Sequence, residues 1–125
     1  MNILIFHGHT PSEYSQGHLN QSFVEIAEET LASNGHNLRK YNTTADYDID
    51  AVIADHQWAD AIIIQTPVHS MSLPWSIKKF MDEVYTFGMD GRLSKGDGRS
   101  SKAPKENYGM GGTLHGKNYI FISQR

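Results

Sequence analysis

Two short, uninterrupted apolar runs constrain the fold of this chain more than any other feature. Ile3 to Phe6 forms the first run and leads into the turn-prone residues from His7 to Pro11. Ala61 to Ile64 forms the second, which continues through Gln65 and Thr66 and ends at Pro67, so that Ala61 to Thr66 is the second predicted strand. Apolar runs of this length, bounded by turn residues, are typical of strands that are buried on both faces of a parallel sheet. The two runs therefore predict the central strands of an α/β protein.

Helical periodicity separates these runs. Apolar residues recur at helical spacing in two stretches, and Asn34-Gly35 is a typical end for the first helix. We predict helices near residues 20–34, 50–57 and 74–86, and strands near 2–7, 36–41, 60–66 and 117–123. Alternation of this kind indicates an α/β fold with one parallel sheet, for which we expect the strand order 2-1-3-4 and helices on both faces.

One long segment has no regular period. Gly88 to Gly116 holds eight of the eleven glycines, and an irregular connection of this length is usually functional or wrongly assigned. We interpret it as a functional loop.

Length and composition narrow the class of protein. The 125 residues suit one domain, 1–125, and the net charge of −3 at pH 7 argues against nucleic acid or an anionic membrane as the main partner. The chain has no cysteine, which excludes disulfides and thiolate chemistry. The N-terminal sequence resembles neither a signal peptide nor a membrane span. We therefore expect a cytoplasmic protein.

Ligands of open α/β sheets bind beyond the carboxyl ends of the strands. Three segments are predicted there: His9 to Asn20, Thr66 to Pro74, and Ser123 to Arg125. The first is rich in hydroxyl, amide and glycine residues and enters a helix, so its free N–H groups could bind phosphate. An ordinary helix cap provided by Ser15 or Asn20 is the alternative. The loop is neither a G-x-G-x-x-G nor a Walker A motif.

Four motifs carry a resemblance to a known family. They are SQGHLNQS (15–22), WADAIIIQTP (58–67), MSLPWSIKKFMDEVY (71–85) and YGMGG-x3-GK (108–117). In this order they are similar to landmarks of the NAD(P)H:quinone oxidoreductases of the modulator-of-drug-activity-B type, a family with a flavodoxin-like fold. The resemblance implies a three-layer α/β sandwich, a homodimer, FAD rather than FMN, and ping-pong hydride transfer from NAD(P)H to a quinone.

The resemblance also implies cofactor-binding residues, although it assigns no catalytic residue. The implied flavin-phosphate residues are Ser15, Gly17, His18, Leu19, Asn20 and Ser22. Those implied to contact the isoalloxazine and its surroundings are Pro67, Val68, His69, Ser70, Tyr108, Gly111, Gly112, Ser123 and Gln124.

This chain departs from the family in two respects. His69 and Ser70 stand where family members commonly have aromatic residues, and the family fold continues past Arg125 with a fifth strand and its helices. We therefore expect the edge from Tyr119 to Ile122 to be exposed, the chain to form an obligate oligomer, and its quinone reductase activity to be weak. The alternatives are an FMN-binding reductase or electron carrier, and a truncated, non-catalytic oligomer without cofactor.

No metal site is expected. His7-x-His9 has a suggestive spacing but no carboxylate partner at ligand spacing. Asp46, Asp48 and Asp50 alternate like a calcium loop, but the glycine and glutamate that such a loop requires do not follow.

Overall fold

The computed structural model of the protein describes residues 1–124, so Arg125, the last residue of the third predicted binding segment, lies outside the described residues. The strands are β1 (Asn2–His7), β2 (Asn37–Asn42), β3 (Ala61–Pro67) and β4 (Asn118–Gln124). The α-helices are α1 (His18–Ser33), α2 (Ile49–Trp58) and α3 (Trp75–Phe87), and a short 3-10 helix, Gly88–Asp90, follows α3.

The four strands form one parallel sheet in the order β2-β1-β3-β4. Phe6 of β1 lies opposite Tyr41 of β2 and Ile64 of β3. The predicted fold class, strand order and parallel pairing are therefore confirmed. The predicted element boundaries differ from the observed ones by no more than two residues at either end.

The larger core lies between the sheet and helices α2 and α3. Leu4 and Phe6 of β1 pack there against apolar residues of both helices. Phe80 of α3 is fully buried, with its ring centroid 5.0 Å from that of Phe6 and 4.7 Å from that of Tyr47. Aromatic contacts at these separations add to the hydrophobic stabilisation, so this face carries most of the packing.

The face that α1 covers is less apolar. Its buried hydrophobic cluster consists of Ile3, Ile5 and Val24, while Phe23 and Ile26 on the same helix remain exposed. Successive strand residues point to opposite faces, so His7 and Gln65, which lie side by side on β1 and β3, continue the α1 face toward the carboxyl ends of the strands. Polar side chains therefore replace apolar ones as this face approaches the predicted ligand-binding edge.

The segment from Gly88 to Gly116 is irregular apart from its 3-10 turn, as predicted. Buried Leu93 attaches it to the larger core. Two main-chain hydrogen bonds close the loop, from Lys95 N–H to the Gly111 carbonyl at 2.7 Å and from Thr113 N–H to the Leu93 carbonyl at 2.9 Å. The loop therefore has a defined internal structure.

Strand β4 has an exposed apolar surface. The side chains from Tyr119 to Ile122 are all exposed, as predicted, with Tyr119 the most exposed at 79%. No helix within residues 1–124 is long and apolar enough to cross a membrane.

Candidate functional site

A cavity of about 360 Å³ opens at the carboxyl ends of β1, β3 and β4. It lies where the strand order reverses, between the loop that follows β1 and the loop that follows β3. Its volume is within the range that binds small molecules and cofactors. The residues that line it are His9, Ser15, Gln16, Gly17, His18, Leu19, Asn20, Pro67, Val68, His69 and Gln124.

His9 is the most deeply buried ionisable residue of this cavity, with 2% of its surface exposed. Its Nε2 atom lies 3.2 Å from the Ser15 carbonyl oxygen, and its Nδ1 atom has no hydrogen-bond partner within residues 1–124. A buried polar atom without a partner is costly for a folded protein unless a ligand or water satisfies it. The Nδ1 atom of His9 is therefore an unsatisfied polar atom enclosed in the wall of this cavity.

Gly17 brings the backbone of the loop against the His9 ring. It is the N-cap of α1 and has a φ of 84°, in the left-handed region. A Cβ atom at this position would lie only 2.2 Å from His9 Cδ2. Glycine therefore satisfies two requirements at this position, because it allows both the backbone conformation and the close approach of the imidazole.

The first turn of α1 has free N–H groups that face this loop. No side chain among residues 1–124 caps the helix, and the first main-chain hydrogen bond runs from Gln21 N–H to the Gly17 carbonyl at 2.9 Å. The alternative of an ordinary cap by Ser15 or Asn20 is therefore wrong, because the chain enters the helix through a left-handed glycine. The unpaired N–H groups and the helix dipole favour an anion at this position.

The Asn20 side chain has partners inside the protein. Its Oδ1 accepts a hydrogen bond from Gln124 Nε2 at 2.9 Å, and its Nδ2 donates to the Gln65 carbonyl at 3.3 Å. Gln65 Nε2 in turn donates to Gln124 Oε1 at 2.8 Å. These three residues form a closed ring of hydrogen bonds, the amide ring, which joins α1, β3 and β4 and is completed by the main-chain carbonyl of Gln65. A cofactor contact through the Asn20 side chain stays a prediction, while its position beside the cavity is established.

The loop after β3 forms the opposite wall of the cavity. The His69 ring stands edge-on to the His9 ring, with 5.6 Å between centroids. His69 and Ser72 exchange two main-chain hydrogen bonds of 2.8 and 2.9 Å, and the residues between them, Ser70 and Met71, both have positive φ. Two consecutive non-glycine residues in this conformation store backbone strain, which is common at ligand-binding sites.

Some residues that the resemblance implied lie away from the cavity. Ser22 Oγ donates to the His18 carbonyl on the outer side of α1. Ser123 is on the other face of β4 from Gln124, because strand residues alternate. Ser70 is at the tip of the 69–72 turn. Cofactor contacts for these residues stay predictions.

Tyr108, Gly111 and Gly112 belong to the long loop, which does not line the cavity. Tyr108 stacks under Arg99, whose guanidinium carbon is 5.0 Å from the ring centroid. A Cβ atom on Gly111 would lie 2.1 Å from the Gly96 carbonyl oxygen. Glycine at position 111 thus serves a close approach within the loop. Contact of this loop with a cofactor stays a prediction.

Sequence reasoning placed His9 and Gln16 in the predicted ligand-binding segment His9 to Asn20 but named neither as a cofactor-binding residue. It missed Gln65, which lies behind them. Within residues 1–124 no three histidine, aspartate or glutamate side chains are grouped to hold a metal ion.

Burial also affects His7, at the end of β1. Neither of its ring nitrogens has a partner among the described residues, and burial lowers the pKa of this histidine. The ring is therefore neutral at pH 7 and adds no positive charge near the cavity. Anion binding at this site must therefore rely on the main-chain N–H groups of the first turn of α1.

Comparison with known proteins agrees with this geometry. Residues 1–125 match a protein family described as having a flavodoxin-like fold. The chain is 42% identical over 120 residues to the NADPH:quinone oxidoreductase MdaB of Haemophilus influenzae, covering 96% of this chain and 62% of that protein. An uncharacterized protein of Schizosaccharomyces pombe is 40% identical over 120 residues, covering 96% and 61%. The chain thus spans less than two thirds of the length of these relatives.

Solved structures share the fold. A Klebsiella pneumoniae protein, provisionally assigned as a quinone reductase, superposes with a TM-score of 0.76 at 23% identity, covering 98% of this chain and 58% of its own. An FMN-dependent NADH-azoreductase from Bacillus anthracis, in complex with FMN, superposes with a TM-score of 0.61 at 14% identity, covering 98% and 68%. The matches in sequence and structure confirm the resemblance that the four motifs predicted.

Proposed function

Because this chain belongs to the family of proteins with a flavodoxin-like fold, we propose that it is a flavin-dependent NAD(P)H:quinone oxidoreductase. The observation that carries the proposal is the cavity at the strand ends. Its walls are the uncapped first turn of α1 on one side and the loop after β3 on the other. The sequence similarity to an NADPH:quinone oxidoreductase supports the choice of reaction.

The residues present fit a flavin phosphate. The N–H groups of His18, Leu19 and Asn20 would receive the phosphate oxygens, and Gly17 lets the backbone approach without a side chain in between. Val68 and His69 would lie against the ring system on the opposite wall. A bound flavin would accept hydride from NAD(P)H and deliver it to a quinone in ping-pong order.

We propose FAD as the flavin, one domain over residues 1–125, a cytoplasmic location and a homodimer. The exposed apolar side chains of β4 support self-association, because a bare strand edge with apolar side chains is a template for pairing. Tyr14 and Met71, which are almost fully exposed on the turns beside the cavity, would let a second subunit or an aromatic acceptor contact the site.

Flavin reconstitution tests the proposed function. The purified chain is mixed separately with FAD and FMN, freed of unbound flavin by gel filtration, and examined by visible absorption. We expect FAD to be retained, to be bleached by NADPH without oxygen, and to be reoxidised by menadione. Retention of FMN alone would favour an FMN-binding reductase or electron carrier. Retention of neither flavin would contradict the proposal and favour a non-catalytic protein.

Sedimentation velocity at micromolar concentration tests the homodimer. We expect the mass of a dimer, and a monomer would contradict this part of the proposal.

A further inference from the structure

The inner member of the amide ring, Gln65, does not reach the cavity that its partners line. Its side chain lies on the α1 face of β3 and is buried, with 4% of its surface exposed. Asn20 and Gln124 both line the cavity, whereas Gln65 stands behind them. Any effect of Gln65 on a ligand must therefore pass through these two residues.

The surroundings of Gln65 would suit an apolar side chain. It borders a groove whose other residues are almost all apolar, among them Phe23, Ile63 and Ile122. Burying an amide in such surroundings costs free energy unless its hydrogen bonds are made. Packing alone would favour an apolar residue at position 65, so the hydrogen bonds of the amide must account for its presence.

Around the amide ring, each residue donates one hydrogen bond to the next. Gln65 Nε2 donates to Gln124 Oε1 at 2.8 Å, which turns Gln124 Nε2 toward Asn20 Oδ1 at 2.9 Å. Asn20 Nδ2 then faces the Gln65 carbonyl at 3.3 Å. The Gln65 side chain thus orients the Gln124 amide, and the Gln124 amide orients Asn20 Oδ1, while the main-chain carbonyl of Gln65 holds Asn20 Nδ2.

Asn20 is the third residue of α1 and belongs to its uncapped first turn. Its side chain links this turn to the amide ring through hydrogen bonds with Gln124 and Gln65. A fixed Asn20 keeps the N–H groups of His18, Leu19 and Asn20 aimed at the cavity without a side-chain cap. We propose that Gln65 is a positioning residue for the phosphate of a bound flavin, acting through Gln124 and Asn20. This inference rests on the proposed function, because it takes the ligand to be a flavin.

The Gln65→Leu variant tests the inference. Leucine fills the groove but cannot donate to Gln124, which is only partly buried and can bond to water instead. We expect the dissociation constants of FAD and FMN, measured by fluorescence titration, both to rise about tenfold. Riboflavin has the same ring system without the phosphate, so its dissociation constant should change less than about twofold. The free energy of unfolding without flavin should change little, since the leucine suits its apolar surroundings.

Two further variants separate positioning from a general structural role. Gln57→Leu is the control, because Gln57 lies on α2 and its side-chain amide donates to the Arg92 carbonyl at 3.2 Å. This variant also loses one amide hydrogen bond, but it should leave the affinities for FMN and riboflavin unchanged. In Gln124→Leu the ring is already open, so adding Gln65→Leu should weaken FMN binding no further.

Several results would overturn the inference. They are unchanged FMN affinity in Gln65→Leu, an equal loss for riboflavin and FMN, and additive losses in the double variant. If the unaltered chain binds none of FMN, FAD and riboflavin, the proposed function fails together with this inference. Flavin binding by the unaltered chain with no effect of Gln65→Leu would overturn the inference alone.

Discussion

Replacing Gly17 by alanine tests how the fold builds the cavity. The new methyl group would stand 2.2 Å from Cδ2 and 2.6 Å from Nε2 of His9, a ring that is almost fully buried. Overpacking of this kind costs about 1–3 kcal/mol. The positive φ of 84° at Gly17 adds about 1–2 kcal/mol, because alanine is strained in the left-handed region.

Gly35, just beyond the end of α1, provides a matched control. Its φ is 83°, and a Cβ atom placed there would meet no atom of the described residues within 4 Å. Gly35→Ala should therefore lose only the backbone contribution, about 1–2 kcal/mol of unfolding free energy. The two variants should differ by about 1–3 kcal/mol in urea unfolding, which is the contribution of the clash with His9.

Flavin binding should separate the two variants as well. A displaced His9 ring would shift the loop from Ser15 to Asn20 that lines the cavity, so Gly17→Ala should bind FAD at least about tenfold more weakly than the unaltered chain. Gly35→Ala should keep the affinity of the unaltered chain. Equal losses of stability in both variants, or an unchanged flavin affinity in Gly17→Ala, would refute the idea that the contact between Gly17 and His9 shapes the cavity.

Three other residues give testable predictions. His56 is buried beside the Val52 carbonyl, and burial lowers its pKa. The stabilising contribution of the neutral His56 ring should therefore be fully present above its pKa of 6.5 in the unfolded chain and be lost as the pH falls below that value. In urea titrations, the unfolding free energy should fall less between about pH 7.5 and about pH 5.5 in His56→Leu than in the unaltered chain. Phe80→Ala should lower the unfolding free energy by about 3–5 kcal/mol, and a loss below about 1 kcal/mol would contradict the packing described. Asn20→Ala should weaken flavin binding by about 1–3 kcal/mol in fluorescence titrations, because it removes the side chain that joins α1 to Gln124 beside the cavity, and an unchanged affinity would contradict a role of this side chain at the site.

The sheet could be predicted because its central strands are buried on both faces. Leu4 and Phe6 point to one face of β1, and Ile3 and Ile5 to the other, so burial requires an uninterrupted apolar run. Such a run is visible in the sequence. The strand order and parallel pairing then followed from the helices between the strands and from the resemblance to a known family.

The site was less accessible to sequence reasoning, because its contacts join distant parts of the chain. The hydrogen bond between Gln124 and Asn20 spans 104 positions, and it involves amide side chains that follow no period. The cap of α1 depends on the left-handed backbone of Gly17, whereas preference rules favour Ser15 or Asn20 in that role. The neighbours of Tyr108 and Gly111 depend on how a glycine-rich loop folds on itself, which periodicity does not describe.

The unequal packing of the two sheet faces also affects which part of the protein opens first. Helices α2 and α3 pack on the sheet through a buried apolar cluster of eleven residues. The buried apolar cluster between α1 and the sheet has three residues. Local opening should therefore detach α1 at the lowest free energy, and its amide hydrogens should exchange with solvent before those of α3. An anion bound at the start of α1 would protect the segment that is least protected without it. Loading of the cofactor would then also determine how long the polypeptide resists proteases.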